Sequence, residues 1–129
     1  MKNIVVRNTI QTPIYQQIYE QISSQIINGD LKADQLLPSM RVAAKEQRVS
    51  IITIKKTWEM LESQGLIYTV QGKGSYVRSH TLVDLEEKKK QTVKMVMHDA
   101  IQSLKPYDVT EKEIVEMITE LFHEMNQKT

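Results

Sequence analysis

Ser50-Ile51-Ile52-Thr53-Ile54-Lys55-Lys56-Thr57-Trp58-Glu59-Met60-Leu61-Glu62-Ser63-Gln64-Gly65 is the stretch that decides how the chain is read. Serine is a favoured residue at a helix N-cap, and glycine commonly stands just past a helix end. Between those two signals Ile54, Thr57, Trp58 and Leu61 recur at helical spacing, which puts them on one side, toward a core. The opposite side carries Ser50, Ile52, Lys55 and Lys56 near its start, with Ile51 and Thr53 at the borders. A short helix that is apolar behind and hydroxyl-plus-lysine in front suits a DNA groove.

Working backward, Arg48-Val49 reads as a tight turn, preceded by a short helix from Met40 to about Gln47 with Ser39 as its cap. Ala43 and Ala44 keep that helix thin enough to pack closely on a neighbour. Two short helices joined by so brief a turn form the helix-turn-helix pattern. Leu31 to Pro38 reads as a connector. Before it, Ile14, Ile18, Ile22 and Ile26 recur every fourth residue, and Tyr15, Tyr19 and Ile27 lie beside them. That stripe predicts a helix of about four turns. Thr12 as cap and Pro13 at the first helical position would start it, and Asn28-Gly29-Asp30 would end it. Ile4 to Arg7 is β-prone, a strand or an extended arm.

Working forward, the period changes to that of a strand. Leu66, Tyr68 and Val70 alternate with Ile67 and Thr69. Gln71-Gly72-Lys73-Gly74 is a glycine-rich turn, and Ser75 to Arg78 a second short strand, so the two pair as a hairpin. A helix-turn-helix followed directly by a hairpin is a winged helix, with Lys73 at the tip of the wing. From Thr81 onward two more helices are expected. Glu86-Glu87-Lys88-Lys89-Lys90 interrupts the first one early, as a solvated linker face. Its apolar positions are Val93, Val96, Met97, Ala100, Ile101 and Leu104, and Lys105-Pro106-Tyr107-Asp108 breaks it. Thr110 and Glu113 have capping-box spacing, and Ile114, Met117, Ile118, Leu121, Phe122 and Met125 follow as a broad stripe. Two such helices cannot bury both faces alone, which points to a partner chain.

At 129 residues, 40 % apolar and 26 % charged, the composition is that of an ordinary globular protein, one domain or a small domain with an appendage. Cysteine is absent, which excludes disulfides and thiolate metal sites. No apolar run reaches membrane-spanning length and the N-terminus does not read as a signal peptide, so a cytoplasmic protein is expected. The net charge of +1 divides unevenly: residues 1–80 hold ten Lys/Arg against six Asp/Glu, and residues 81–129 hold seven against ten. A basic N-terminal part fits a polyanion.

The ordered series of motifs in residues 13–78 resembles the DNA-binding domain of GntR-type bacterial transcription regulators. It runs from Pro13-Ile14-Tyr15-Gln16-Gln17-Ile18 and Ile26-Ile27-Asn28-Gly29-Asp30-Leu31 through Leu37-Pro38-Ser39-Met40-Arg41 and Val49 to Ile54. It continues with Leu61 to Ile67 and Gly72-Lys73-Gly74-Ser75-Tyr76-Val77. The resemblance implies DNA contacts from Arg41, from Ser50, Thr53 and Lys55, and from Gly72 at the wing tip. Two positions depart from the family. Ala33-Asp34 replaces a proline-glycine turn, and Ile51 replaces the base-contacting arginine of many relatives. An isoleucine cannot bind guanine in bidentate fashion, although it can pack on a thymine methyl. Only 49 residues follow His80, and the short two-helix tail looks like the YtrA type, dimeric repressors often linked to transporter genes.

The expectation is therefore a mainly α protein with a small β-hairpin wing, in which residues 1–79 form a winged helix-turn-helix and residues 80–129 a two-helix dimerisation tail that could also hold an effector. The DNA-facing set is Ser39, Arg41, Ser50, Ile51, Ile52, Thr53, Lys55, Lys56, Gly72, Lys73 and Gly74. Alone, each lysine would read as solvated surface; placement on the third helix and wing tip favours DNA for Lys55 and Lys73, and Lys56 stands even between the two. Of Ile51 and Ile52, one should complete the core edge, with the other against thymine methyls or simply exposed. The dimerisation set is Val93, Val96, Met97, Ile101, Leu104, Ile114, Met117, Ile118, Leu121, Phe122 and Met125. His80, His98 and His123 lack the i, i+4 spacing of a helical metal site. No nucleophile–base pair or phosphate loop occurs, so neither an enzyme nor a cofactor is implied. The expected partners are double-stranded DNA and a second copy of the chain. A small apolar effector between the tail helices is the variant within that class. The alternative outside it is a protein-interaction module that uses the winged helix as a scaffold.

Overall fold

The structure is a computed structural model that describes residues 3–127. Its elements are, in order, α1 (Ile14–Ile27), α2 (Met40–Gln47), α3 (Ile51–Ser63), β1 (Ile67–Val70), β2 (Gly74–Val77), α4 (Leu82–Leu104), a single 3-10 turn (Lys105–Tyr107) and α5 (Glu111–Gln127). The chain divides into two compact units between residues 89 and 90. The fold is mainly helical with one small antiparallel hairpin, as expected for a winged helix.

The core of the first unit follows from the helical stripes. Ile18, Ile22 and Ile26 of α1 are buried against Ala43 and Ala44 of α2 and Ile54, Trp58 and Leu61 of α3. Leu31, Leu37, Leu66, Ile67 and Val77 close it from the connector and hairpin. Trp58, 3 % exposed, is a core residue and not a stacking platform. Thr57 is buried without an orphaned hydroxyl, because its Oγ1 donates to the Thr53 carbonyl (2.9 Å) and the Tyr15 carbonyl (3.3 Å). Truncating any one of Ile18, Ile22 or Ile54 to alanine would cost on the order of 2–5 kcal/mol.

Four local readings are revised. Pro13 is itself the cap of α1, with ψ 147°, and its carbonyl accepts the Gln16 and Gln17 amides, so the helix starts one residue later than Thr12-Pro13 suggested. The Thr12 carbonyl instead accepts the Gln17 side chain at 2.8 Å. The connector is a third, irregular edge of the wing: the Asp34 amide donates to the Val77 carbonyl (2.7 Å), Val77 to Gln35 (2.9 Å) and Leu37 to Ser75 (2.8 Å). The hairpin's inward side is Ile67 and Val77, paired across the ladder, and Tyr68 and Val70 face the other way. Gly74 belongs to β2 rather than to the turn. Finally, α4 is not interrupted at Glu86–Lys90. Glu and Lys are good helix formers, and a charge run on a solvated face need not break a helix.

Residues 4–7 are the extended arm rather than a strand. Glutamines one helical turn apart on α1 take the place of a neighbouring strand. Gln17 Oε1 accepts the Arg7 amide while its Nε2 donates to the Arg7 carbonyl; Gln21 does the same for Val5. Each amide side chain carries both a donor and an acceptor, so it can serve both polar groups of one residue. Ile4 and Val6 then pack on the core.

The second unit, residues 90–127 as described, holds the end of α4 and all of α5. Thr110 and Glu113 form the expected capping box: Thr110 Oγ1 accepts the Glu113 amide, and Glu113 Oε1 accepts the Thr110 amide, both at 3.2 Å. Neither α4 nor α5 buries a residue.

Candidate nucleic-acid interface

The expected DNA-facing residues lie on three segments of the first unit: the start of α2, the start of α3 and the hairpin tip. At the start of α2, Ser39 Oγ accepts the Val42 amide at 3.2 Å, and Arg41 is exposed in the first turn. Ser39 thus has a structural task whatever else it touches.

The turn into α3 contains no glycine, and Arg48 takes the left-handed conformation there (φ 56°, ψ 46°). At the start of α3, Ser50 Oγ accepts the Thr53 amide at 3.1 Å and lies 2.8 Å from Thr53 Oγ1. These two hydroxyls therefore spend part of their hydrogen-bonding capacity on each other. Lys55 is exposed. The Lys56 ammonium sits 3.9 Å from the centre of the Tyr15 ring, a cation–π contact that gives this lysine a structural partner on α1. Ile51 and Ile52 are both exposed, so neither completes the core edge.

At the far end of α3, Gly65 (φ 72°) terminates the helix. Its amide donates to the Glu62 carbonyl, and the Leu66 amide to the Leu61 carbonyl, the paired bonds of a Schellman motif. Lys88 Nζ donates to the last free carbonyl, Gln64, at 3.0 Å. A cation at a helix C-terminus is electrostatically favoured. This lysine, expected as linker surface, ties the root of α4 to the end of α3.

The wing is stiffened from its sides. Tyr68 and Tyr76 stack at 5.5 Å, Thr69 and Ser75 hydroxyls pair at 2.9 Å, and the Arg78 guanidinium lies 5.7 Å from the Tyr68 ring. Tyr68 donates its hydroxyl to Asp34 Oδ1 (2.9 Å), a bond that raises the phenol's pKa above its ordinary value. Gly72 (φ 81°) supplies the turn conformation that places Lys73 at the tip, where it is exposed. At Gly74 the positive φ (130°) favours glycine, and an added Cβ would stand 3.0 Å from Cδ1 of the exposed Leu36 side chain, which would have to shift slightly. The structural roles of Arg48, Arg78, Asp34 and Lys88, none of which the sequence assigned to the site, come from tertiary contact or backbone conformation. For Arg48 there was a signal in the missing turn glycine.

Residues 14–77 match the family model described as bacterial regulatory proteins, gntR family. Over 93 residues the chain is 31 % identical to YtrA, an HTH-type transcriptional repressor of Bacillus subtilis, a match covering 69 % of this chain and 72 % of YtrA. The chain belongs to the GntR family. Within it the chain is YtrA-like, a transcription regulator of winged-helix type and not an enzyme. Against NagR, another repressor of B. subtilis, identity is 42 % over 65 residues, but the chain spans only 27 % of that protein. It spans 31 % of the Salmonella typhimurium repressor STM4068.

Among solved structures, a GntR family transcriptional regulator from Listeria monocytogenes superposes with TM-score 0.63 at 26 % identity, covering 85 % of this chain and 96 % of that one. YtrA from Sulfolobus acidocaldarius gives 0.59 at 29 % identity, covering 77 % and 97 %. The DNA-binding domain of AraR in complex with operator ORX1 gives 0.53 at 36 % identity, covering 58 % of this chain and 94 % of that one.

Proposed function

We propose that this GntR regulator is a homodimeric repressor that binds a palindromic operator, in the cytoplasm, with one winged helix per half-site. The observation that carries the reading is the first turns of α3, which project Ile51, Ile52 and Lys55 from a firmly anchored core helix. AraR, whose DNA-binding domain was solved on its operator, is similar to the same region of this chain. In the proposed complex, α3 enters the major groove. Arg41 and Lys73 meet phosphates, with Ser39, Gly72 and Gly74 allowing close backbone approach. Ser50, Thr53 and Lys56 serve mainly to hold α3 in shape at its start.

The dimer is proposed from the tail. Leu104, Ile114 and Ile118 are only partly buried, and Val93, Val96, Met97, Ile101, Met117, Leu121, Phe122 and Met125 are exposed. An apolar surface of that extent is what a second copy would cover. Half-sites would then lie roughly 10 base pairs apart or a multiple of it. A small apolar effector between tail helices and control of transporter genes are the further parts of the proposal.

A mobility shift of the full chain on DNA upstream of its own gene, titrated with salt, tests the reading. Affinity should fall steeply with salt as phosphate contacts release counterions, and Arg41→Ala and Lys73→Ala should each reduce the salt slope by about one. Unaltered activity in Arg41→Ala and Lys55→Ala would sink the DNA reading in favour of a protein-interaction module.

A further inference from the structure

Ile52 is 78 % exposed and Ile51 50 % exposed, and neither belongs to the core or to the partly buried side chains around it. The fold does not need them. Isoleucine is also a weaker helix former than the straight-chain residues that usually fill exposed helix positions. Two adjacent branched aliphatic side chains in open solvent at this helix start are free to meet a group outside the chain.

The charges along α3 indicate where DNA can lie. Its exposed positions after Ile52 are Lys55 and Lys56, then Glu59, then Glu62 and Ser63. A phosphate backbone is drawn to the lysines and repelled by the glutamates, so a duplex is favoured over the first two turns, where the isoleucines stand. The hydroxyls of that first turn are turned toward each other, 2.8 Å apart. This leaves Ile52 and Ile51 as the exposed apolar groups beside Lys55. The apolar group that a base edge presents in the major groove is the thymine C5-methyl. Isoleucine has no side-chain donor or acceptor, so any base preference it confers runs through that methyl.

We propose that Ile52, flanked by Ile51, reads thymine methyl groups in each half-site, an apolar specificity element in place of a bidentate arginine. The proposal rests on the DNA-binding reading above. Removing one contacted methyl should weaken binding about fourfold, the burial of a single methyl-sized group.

The test begins with selection of binding sites from random DNA by the full chain. Each thymine of the selected half-site is then replaced by uracil, symmetrically, and affinity is measured for the wild type, Ile52→Ala and Ile51→Ala. Both side chains are exposed, so the variants should fold, which thermal melting checks. The expected result is one or two positions where uracil weakens the wild type about fourfold per methyl and barely affects Ile52→Ala. A selected operator insensitive to every uracil overturns the proposal while leaving DNA binding intact, as does a methyl effect undiminished in both variants. Failure to select any sequence overturns the DNA-binding reading, and this proposal with it.

Discussion

Arg48 and Asp34 are non-glycine residues with positive φ, 56° and 62°, both in turns of the first unit. Left-handed backbone costs an L-residue roughly 1–2 kcal/mol, and glycine in its place would give back part of that in unfolded-chain entropy. Arg48→Gly should therefore raise stability by about 0.5–1 kcal/mol, read from a chemical denaturation curve with unchanged slope. The two residues differ in what compensates the strain. Asp34 is a type that tolerates this conformation, and its carboxylate holds the Tyr68 hydroxyl. Melting temperatures should rank wild type and Asp34→Asn above Tyr68→Phe, and Asp34→Ala lowest, because alanine keeps the strain and loses the bond. Equal melting of Asp34→Ala and wild type would contradict this account.

The junction between hairpin and α4 is an element-scale device. Thr81 and Asp84 form a reciprocal capping box at the start of α4, and Lys88 reaches the Gln64 carbonyl at the end of α3. His80 lies between them with its Nε2 buried. Burial first, and then the Lys88 ammonium, hold its imidazole below the ordinary value, against opposing contributions from Asp84 and the Gly65 backbone and a further lowering by Arg78. The folded state therefore binds a proton less readily than the unfolded chain, whose histidine titrates near 6.5. This stability is fully present above that pH and is lost as pH falls through the lower folded value. His80→Gln should flatten the melting temperature measured between pH about 7.5 and about 5, relative to wild type.

On the scale of the whole molecule, the first unit buries its stripes within itself and the tail does not. No residue of α5 is buried, and Phe122 and Met125 remain 65 % and 67 % exposed. If a second copy covers this face, Leu121→Asp together with Phe122→Asp should convert the dimer to a monomer in analytical ultracentrifugation. The melting of the winged helix should stay nearly unchanged. The same variant should lose affinity for a two-half-site operator far more than for a single half-site, because joined sites bind with the advantage of effective concentration. Retention of the dimer would place the interface elsewhere.

Periodicity and punctuation determined most of the architecture. The every-fourth isoleucines of α1, the caps Ser39 and Ser50, the Gly65 stop and the Thr110–Glu113 box are local signals, and each acts within one or two turns of chain. The family could be read at that level too, because its motifs are short and ordered. What only the tertiary structure decided depends on groups distant in sequence. Pairing of the connector with β2, the glutamine clamp on the arm and the Lys88 tie to α3 all join backbone polar groups to partners that no local pattern names. The status of Ile51 and Ile52 belongs here as well. Helical spacing put Ile52 on the side away from the core and Ile51 at its border, and only the packing of α1 and α2 against α3 determined that the core is complete without either.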